Sequence, residues 1–299
     1  MNVNLLTVDD PRTDAAVSPL RSKAELRAAL EPARRQGLRI GLVPTMGFLH
    51  EGHLSLLRAA RSECDVVVIS LFVNPTQFGP GEDLDRYPRD EQRDLALAVE
   101  AGADVVFAPG VEEVYPEDFS TAVEVTGQLT GVLDGDPSRR GPEHFRGVTT
   151  VVAKLFNVVG PDVAYFGQKD AQQAAVIRRM VRDLDFPLRV EVMPIVREDD
   201  GLAMSSRNAY LEPADRERAV ALSRALAAVE QGARSESLTA GLEAGRRVLV
   251  EAGIEPEYLE ARDAESLDPV TELGGRPVLV AVAAPVGAAR LIDNVLIDP

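Results

Sequence analysis

Residues 65–73, reading Asp-Val-Val-Val-Ile-Ser-Leu-Phe-Val, leave this chain few architectures to choose from. An apolar, largely β-branched run without alternation suits a strand covered on both faces, as in a parallel sheet with helices on either side. Similar runs occupy 39–43, 103–108, 161–166 and 189–196. Segments of helical periodicity stand between them at about 22–36, 50–63, 90–100, 147–159 and 171–184. Ser22 and Glu25 have capping-box spacing at the first of these helices, and Gly37 ends it. The alternation predicts an α/β class, a Rossmann-like doubly wound parallel sheet. Residues 111–145 break the pattern and read as an excursion over one edge of the sheet. Beyond Arg197 come a polar loop (199–208), two alanine-rich helices (214–231 and 240–252) and two strands (near 277–284 and 290–297). The expected division is a doubly wound domain at 1–195 and a smaller α+β domain at 196–299, with a polar lead-in over 1–20.

Within this frame, chemistry concentrates at strand ends. The strand ending at Pro44 leads through Thr45, Met46 and Gly47 to His50 and His53, which head an apolar-periodic helix. Strand, glycine turn and helix present free backbone N–H groups and the positive end of a helix dipole to an anion. Residues three apart share a helical face, so both imidazoles can address one ligand, and a phosphate chain is the natural candidate. A histidine near a helix start is commonly just solvated, but two of the chain's three histidines sit on this one turn. The spacing is not that of a zinc protease, and thiolate ligands are nearly absent. A second cluster, Gly167–Gln173, follows another strand. Lys169 there suits a phosphate as a point charge, whereas Asp170 and Gln173 alone would read as a capping pair. The third, Asp199–Asn208, places Ser205, Ser206 and Arg207 beside a glycine hinge. These groups can close over a triphosphate, or Ser205 can simply cap a turn.

Composition limits the partners. The 299 residues carry a net charge of −16, which disfavours a nucleic-acid backbone as ligand. In so acidic a chain, each of the three lysines is informative. A single cysteine, Cys64, excludes an internal disulfide and fits a reducing compartment. No apolar run reaches the roughly twenty residues of a membrane span, and the acidic beginning is unlike a signal peptide, so a cytoplasmic location is expected.

The segments PTMGFLHEGH (44–53), SLFVNPTQFGPGEDLDRYPR (70–89), HFRGVTTVV (144–152), FGQKDAQQ (166–173), DGLAMSSRN (200–208) and ARLIDN (289–294), in this order, resemble the pantoate–β-alanine ligases over nearly the whole length. HxGH alone is shared by a superfamily of adenylate-forming and nucleotidyl-transferring enzymes. The resemblance implies that pantoate attacks the α-phosphate of ATP, and that β-alanine then displaces AMP to give pantothenate. It also implies Mg²⁺, a homodimer, a Rossmann-like domain at 1–195 that binds nucleotide and pantoate, and a C-terminal domain at 196–299 that lids the site. Charge and hydropathy add that neither nucleic acid nor membrane is a partner. By the same resemblance His50, His53, Lys169 and Arg207 are catalytic, His53 as proton donor to the leaving pyrophosphate. Met46, Gly47, Gly167, Gln168, Asp170, Val196, Met204, Ser205 and Ser206 join them around the nucleotide, and Gln77 and Gln173 read the hydroxyls of pantoate. Asn74 and Tyr87 are second-rank candidates. An apparent extra residue at 138–144 leaves both Arg139 and Arg140 open as the family arginine, and His144 without an assigned role. A nucleotidyltransferase that keeps the nucleotide on its product, and a non-catalytic nucleotide sensor, are the competing readings.

Overall fold

A computed structural model describes residues 18–299, so most of the expected lead-in lies outside the described residues. Helix α1, Lys23–Arg35, opens on the expected capping box: the Glu25 amide donates to Ser22 Oγ and the Ser22 amide to Glu25 Oε2. There follow β1 (Ile40–Thr45), α2 (Glu51–Glu63), β2 (Val66–Leu71), α3 (Glu91–Glu100) and β3 (Val105–Phe107). The excursion holds two short helices, α4 (Val111–Val114) and α5 (Gln128–Gly131). Then come α6 (Pro142–Val159), β4 (Val163–Gly167), α7 (Ala171–Asp183) and β5 (Arg189–Met193). The five strands are parallel in the order β3-β2-β1-β4-β5. The winding reverses between β1 and β4, which opens a crevice at their carboxyl ends, where open α/β sheets bind ligands.

Both faces of this sheet are covered, as the apolar run of β2 requires. Leu42 and Val68 pack with Leu26 and Leu30 of α1 and with Val152 and Phe156 of α6. Their chain neighbours Val43, Val67 and Ile69 face the other way, toward Leu57 and Ala60 of α2 and Ala98 of α3. The rest of the chain forms α8 (Pro213–Ala219), α9 (Ala221–Ser235), α10 (Leu238–Glu251), β6 (Tyr258–Asp263), β7 (Val278–Val286) and β8 (Ala289–Ile297). The three strands make an antiparallel sheet, β6-β7-β8. One face of it packs on α9 and α10 through Val280, Val282, Leu226 and Val229. The other meets Leu129 of α5, Phe145 of α6 and Val176 of α7.

Four boundaries differ from the sequence expectation. Helix α6 begins five residues earlier than 147, with Pro142 at a first-turn position, so His144 is helical and not part of a loop. Strand β5 stops at Met193, before Pro194, instead of running to 196. The long helix expected at 214–231 divides at Val220 into α8 and α9. Strand β6 is not among the elements expected from the sequence: Leu259 and Ala261 face α9 and α10, while Tyr258 shares the opposite face with Glu260 and Arg262, whose charges mask the strand.

The turn between β1 and α2 is held by a side chain distant in sequence. Phe48 adopts a left-handed conformation (φ 51°) after Gly47 (φ 84°). The buried Asp94 carboxylate of α3 accepts from the amides of Phe48 and Leu49, both at 2.7 Å. Asp94→Ala therefore leaves two amides without an acceptor. The expected loss is about 2–4 kcal/mol of stability, read as a lower urea midpoint at unchanged slope, and Asp94→Asn, which keeps one acceptor, loses less.

Candidate active site

The crevice at the ends of β1 and β4 is the mouth of an open cleft lined from both strands, where open α/β sheets bind ligands. Met46, His50, His53, Gln77, Gly167, Lys169, Asp170, Gln173, Val196, Met204, Ser205, Ser206 and Arg207 all line it, as do Asn74 and Tyr87. Gly47 and Gln168 do not. Gly47 shapes the turn, and its amide donates to Thr45 Oγ1. Gln168 points away, its Nε2 donating to Asn294 of β8.

His50 is the N-cap residue of α2 and His53 lies in its first turn. Their rings stack with centroids 4.1 Å apart. The His50 amide donates to His53 Nδ1 at 3.4 Å, which places the His53 proton on Nε2. Burial, with Lys169 nearby, pushes His50 down to about 4. Burial, then His50 and Lys169, hold His53 well below its ordinary value. Both imidazoles are therefore neutral at pH 7. His50 Nδ1 and the cleft-lining Ser70 Oγ are buried with no hydrogen-bond partner among the described residues. Buried polar atoms are rarely left so unless a ligand or water completes them.

Lys169 leaves β4 through a 3-10 turn, Gln168–Asp170, and its Nζ stands 4.0 Å from Asp170 Oδ2. The Asp170 side chain makes no capping bond to α7, so the plain capping reading fails here. This turn is gripped from the second sheet: Asn294 Nδ2 donates to the carbonyls of Gln168 and Lys169 at 2.9 and 3.0 Å. That contact gives the ARLIDN segment a structural purpose.

The opposite wall is α6, whose Val148, Val151, Val152 and Leu155 supply an apolar surface. Arg140 and His144, which sequence reasoning left unassigned, are part of this wall, whereas Arg139 leans over the Tyr258 ring at 4.7 Å. His144 Nδ1 lies 2.7 Å from the Gln77 carbonyl, and its Nε2 lies 3.2 Å from Arg140 Nη1. A guanidinium only donates, so Nε2 accepts and Nδ1 carries the proton. Burial, reinforced by Arg140, pushes His144 down to about 4, in agreement with that neutral form. Gly147, one turn further on, lets α6 touch the 3-10 turn Pro75–Gln77; a Cβ there would fall 2.2 Å from the Thr76 carbonyl oxygen. The signal in the sequence was the three-residue spacing of His144 and Gly147 behind Pro142.

The third wall contains Ser205–Arg207. Ser205 Oγ accepts from the Arg207 amide, so the turn-capping reading holds for that side chain, while Ser206 Oγ donates to the Phe48 carbonyl. Arg207, expected at the triphosphate, is engaged here within the protein. Its Nε and Nη2 both donate to Asp83 at 2.9 Å, a bidentate fork. Arg140 is likewise held by Glu82 at 2.7 Å. Neighbouring carboxylates on one loop thus occupy two of the cleft's three cations, leaving Lys169 the least neutralised.

Two adjacent parallel strands, each ending at a donor-rich helix start, define an α/β nucleotide-type cleft. A model of the family described as Pantoate-beta-alanine ligase matches residues 18–296. The pantothenate synthetase of Moorella thermoacetica is 54% identical over 292 residues, covering 93% of this chain and 98% of that one. That of Acidobacterium capsulatum is 56% identical over 293 residues, covering 92% and 95%. Among solved structures, a pantothenate synthetase from Thermus thermophilus superposes with a TM-score of 0.88 at 50% identity, covering 94% of this chain and 99% of that one. A Francisella tularensis pantoate-beta-alanine ligase, solved with β-γ ATP and β-alanine, superposes with a TM-score of 0.77 at 33% identity, covering 94% and 98%. The chain belongs to the pantoate–β-alanine ligase family, and is an AMP-forming ligase.

The three imidazoles, His144 buried and His50 and His53 half-buried, make stability depend on pH. Each is depressed in the folded chain, His50 and His144 to about 4, so below about 6.5 the unfolded chain binds more protons. Their contribution is complete above 6.5 and is lost as pH falls toward 4, with a slope approaching about 1.4 kcal/mol per pH unit for each proton taken up. Urea midpoints measured from pH 7 to pH 5 are expected to fall steeply, and His144→Gln to flatten the trend. A flat profile in the parent protein would contradict neutral burial.

Proposed function

We propose that this cleft joins pantoate to β-alanine at the expense of ATP, in two steps. In the first, a pantoate carboxylate oxygen bonds to the α-phosphorus of ATP as the bond to pyrophosphate breaks. In the second, the neutral amine of β-alanine attacks the acyl carbon, the C–O bond to AMP breaks, and the amide of pantothenate remains. The observation that carries this reading is the convergence of His50, His53 and Lys169, with unpartnered His50 Nδ1 and Ser70 Oγ, at the sheet's switch point.

A carboxylate is ionised at neutral pH, with an ordinary value near ~4, so adenylation needs no general base. It needs two anions brought together under electrostatic cover. Lys169 supplies the positive charge. His50 and His53 supply N–H donors, and the neutral state of His53 favours a hydrogen bond from Nε2 to the leaving pyrophosphate over donation from an imidazolium. Met46, Gly167, Asp170, Val196, Met204, Ser205 and Ser206 would line the nucleotide. Arg207 would contribute the N–H groups that Asp83 does not use, and Gln77 and Gln173 would hold pantoate. Among the described residues no three His, Cys, Asp or Glu side chains converge as a metal cage. Mg²⁺ in this reading therefore enters on the phosphates of ATP, as this ion often does. The division at 195/196, with the C-terminal part covering the cleft, belongs to the same proposal, as do a homodimer and a cytoplasmic location. No helix among the described residues is long and apolar enough to cross a membrane, which is compatible with that location.

Pantoate-dependent exchange of labelled pyrophosphate into ATP tests the first step, and a different acid requirement would overturn the reading. His53→Ala is expected to lower exchange about a hundredfold, as for loss of a transition-state donor, with the fold intact by circular dichroism. In single-turnover runs Lys169→Ala should slow adenylation more than amide formation.

A further inference from the structure

Tyr115 does not line the cleft, yet its hydroxyl ends a chain of hydrogen bonds that reaches into it. Asn74, which is 1% exposed, is the middle link. Its Oδ1 accepts from Tyr115 Oη at 2.8 Å, from Thr76 Oγ1 at 2.9 Å and from the Thr76 amide at 3.4 Å. Its Nδ2 donates to the Gly147 carbonyl at 3.1 Å and to Gln77 Oε1 at 3.0 Å. Two of these five partners are backbone groups whose roles cannot change: the Thr76 N–H only donates, and the Gly147 C=O only accepts. Turning the Asn74 amide over would set donor against donor and acceptor against acceptor in a buried place.

The fixed orientation passes to Gln77. Asn74 takes its Oε1, so Nε2 is left toward Met46 Sδ (3.2 Å) and the cleft. The Gln77 backbone is held separately, through its carbonyl, by His144. A glutamine amide normally offers a ligand either a donor or an acceptor; here one end is engaged within the protein.

We propose that Gln77 meets the acid substrate as a donor only, and that Tyr115 is a positioning residue that keeps it so, acting through Asn74 from outside the cleft. The substrate must then present an oxygen lone pair, from a hydroxyl or carboxylate, at that point. This rests on the assignment of pantoate to the cleft.

The test is the affinity for labelled pantoate, by equilibrium dialysis with a non-hydrolysable ATP analogue, together with pantoate and ATP KM values in pyrophosphate exchange. Tyr115→Phe, which keeps the ring, is expected to weaken pantoate about three- to tenfold, the worth of one hydrogen bond, while ATP KM and melting temperature stay put. Asn74→Asp is expected to do more, because a carboxylate cannot donate to Gln77 Oε1 and the amide then turns its oxygen to the cleft. In a Gln77→Ala background, Tyr115→Phe should change nothing further. The proposal is overturned if Tyr115→Phe leaves pantoate affinity unchanged, if it weakens ATP equally, or if its effect persists without Gln77. Exchange in the parent protein that ignores pantoate would instead remove the underlying assignment, and that measurement comes first.

Discussion

The parallel pairing of β1 with β4 is the constraint on which the cleft depends. The two strands meet at Gly41–Val163 and Leu42–Ala164 although more than a hundred residues of chain separate them. Each continues past its carboxyl end into a tight turn and a helix start, one carrying His50 and His53, the other Lys169 and Asp170. Two helix N-termini are thereby brought to one crevice, with their free amides and partial positive charge. Without that pairing the two motifs would be ordinary turns on a protein of net charge −16.

Charge within the cleft is managed with economy. The imidazoles are kept neutral by burial and by Lys169, so they offer directed N–H donors without the cost of burying further cations. Arg140 and Arg207 are held in place by Glu82 and Asp83, which burial would otherwise make expensive to leave alone. Among the described residues, an incoming polyanion therefore meets the Lys169 ammonium, less closely paired than the two guanidinium groups, and a set of aligned dipoles. Preorganisation of this kind does not have to be assembled during the reaction.

What the sequence revealed and what it concealed divide along physical lines. Strong local signals survived: the Ser22 capping box, the two-sided burial of β2, and the helix starts after β1 and β4. Strand β6 has a weak signal because Glu260 and Arg262, alternating with Leu259 and Ala261, read as a polar connection. His144 looked like a loop residue because the excursion before it has no periodicity, and only Pro142 marks where α6 begins. The pairing of Arg207 with Asp83 has no local signal, because the two lie 124 residues apart. Asp94 was invisible for the same reason: nothing near Phe48 in sequence says which carboxylate will hold its amide. Composition and period reach as far as a helical turn or a strand; pairings between distant loops lie beyond them.

Such distant pairings make the C-terminal sheet part of the site's frame. Asp134, buried in the first half of the fold, accepts from Tyr258 Oη of β6 at 2.7 Å and from Arg290 of β8 at 2.9 Å. Burial works to raise its carboxyl, but Arg290 and Tyr258 hold it below the usual range. The Asp134 carbonyl in turn accepts the amides of Arg140 and Gly141, just where α6 begins its approach to Gln77. Further along β8, Asp293 clamps Arg197 at 2.6 Å and Asn294 grips the Lys169 turn. Buried ion pairs of this sort add little net stability over well-packed apolar groups, and their best-attested use is to select one arrangement. Here the arrangement selected is the spacing between Lys169 on one wall and Arg140 with His144 on the other. Both walls are referenced to the same β-strand, so the cleft keeps its width only while that strand stays in register.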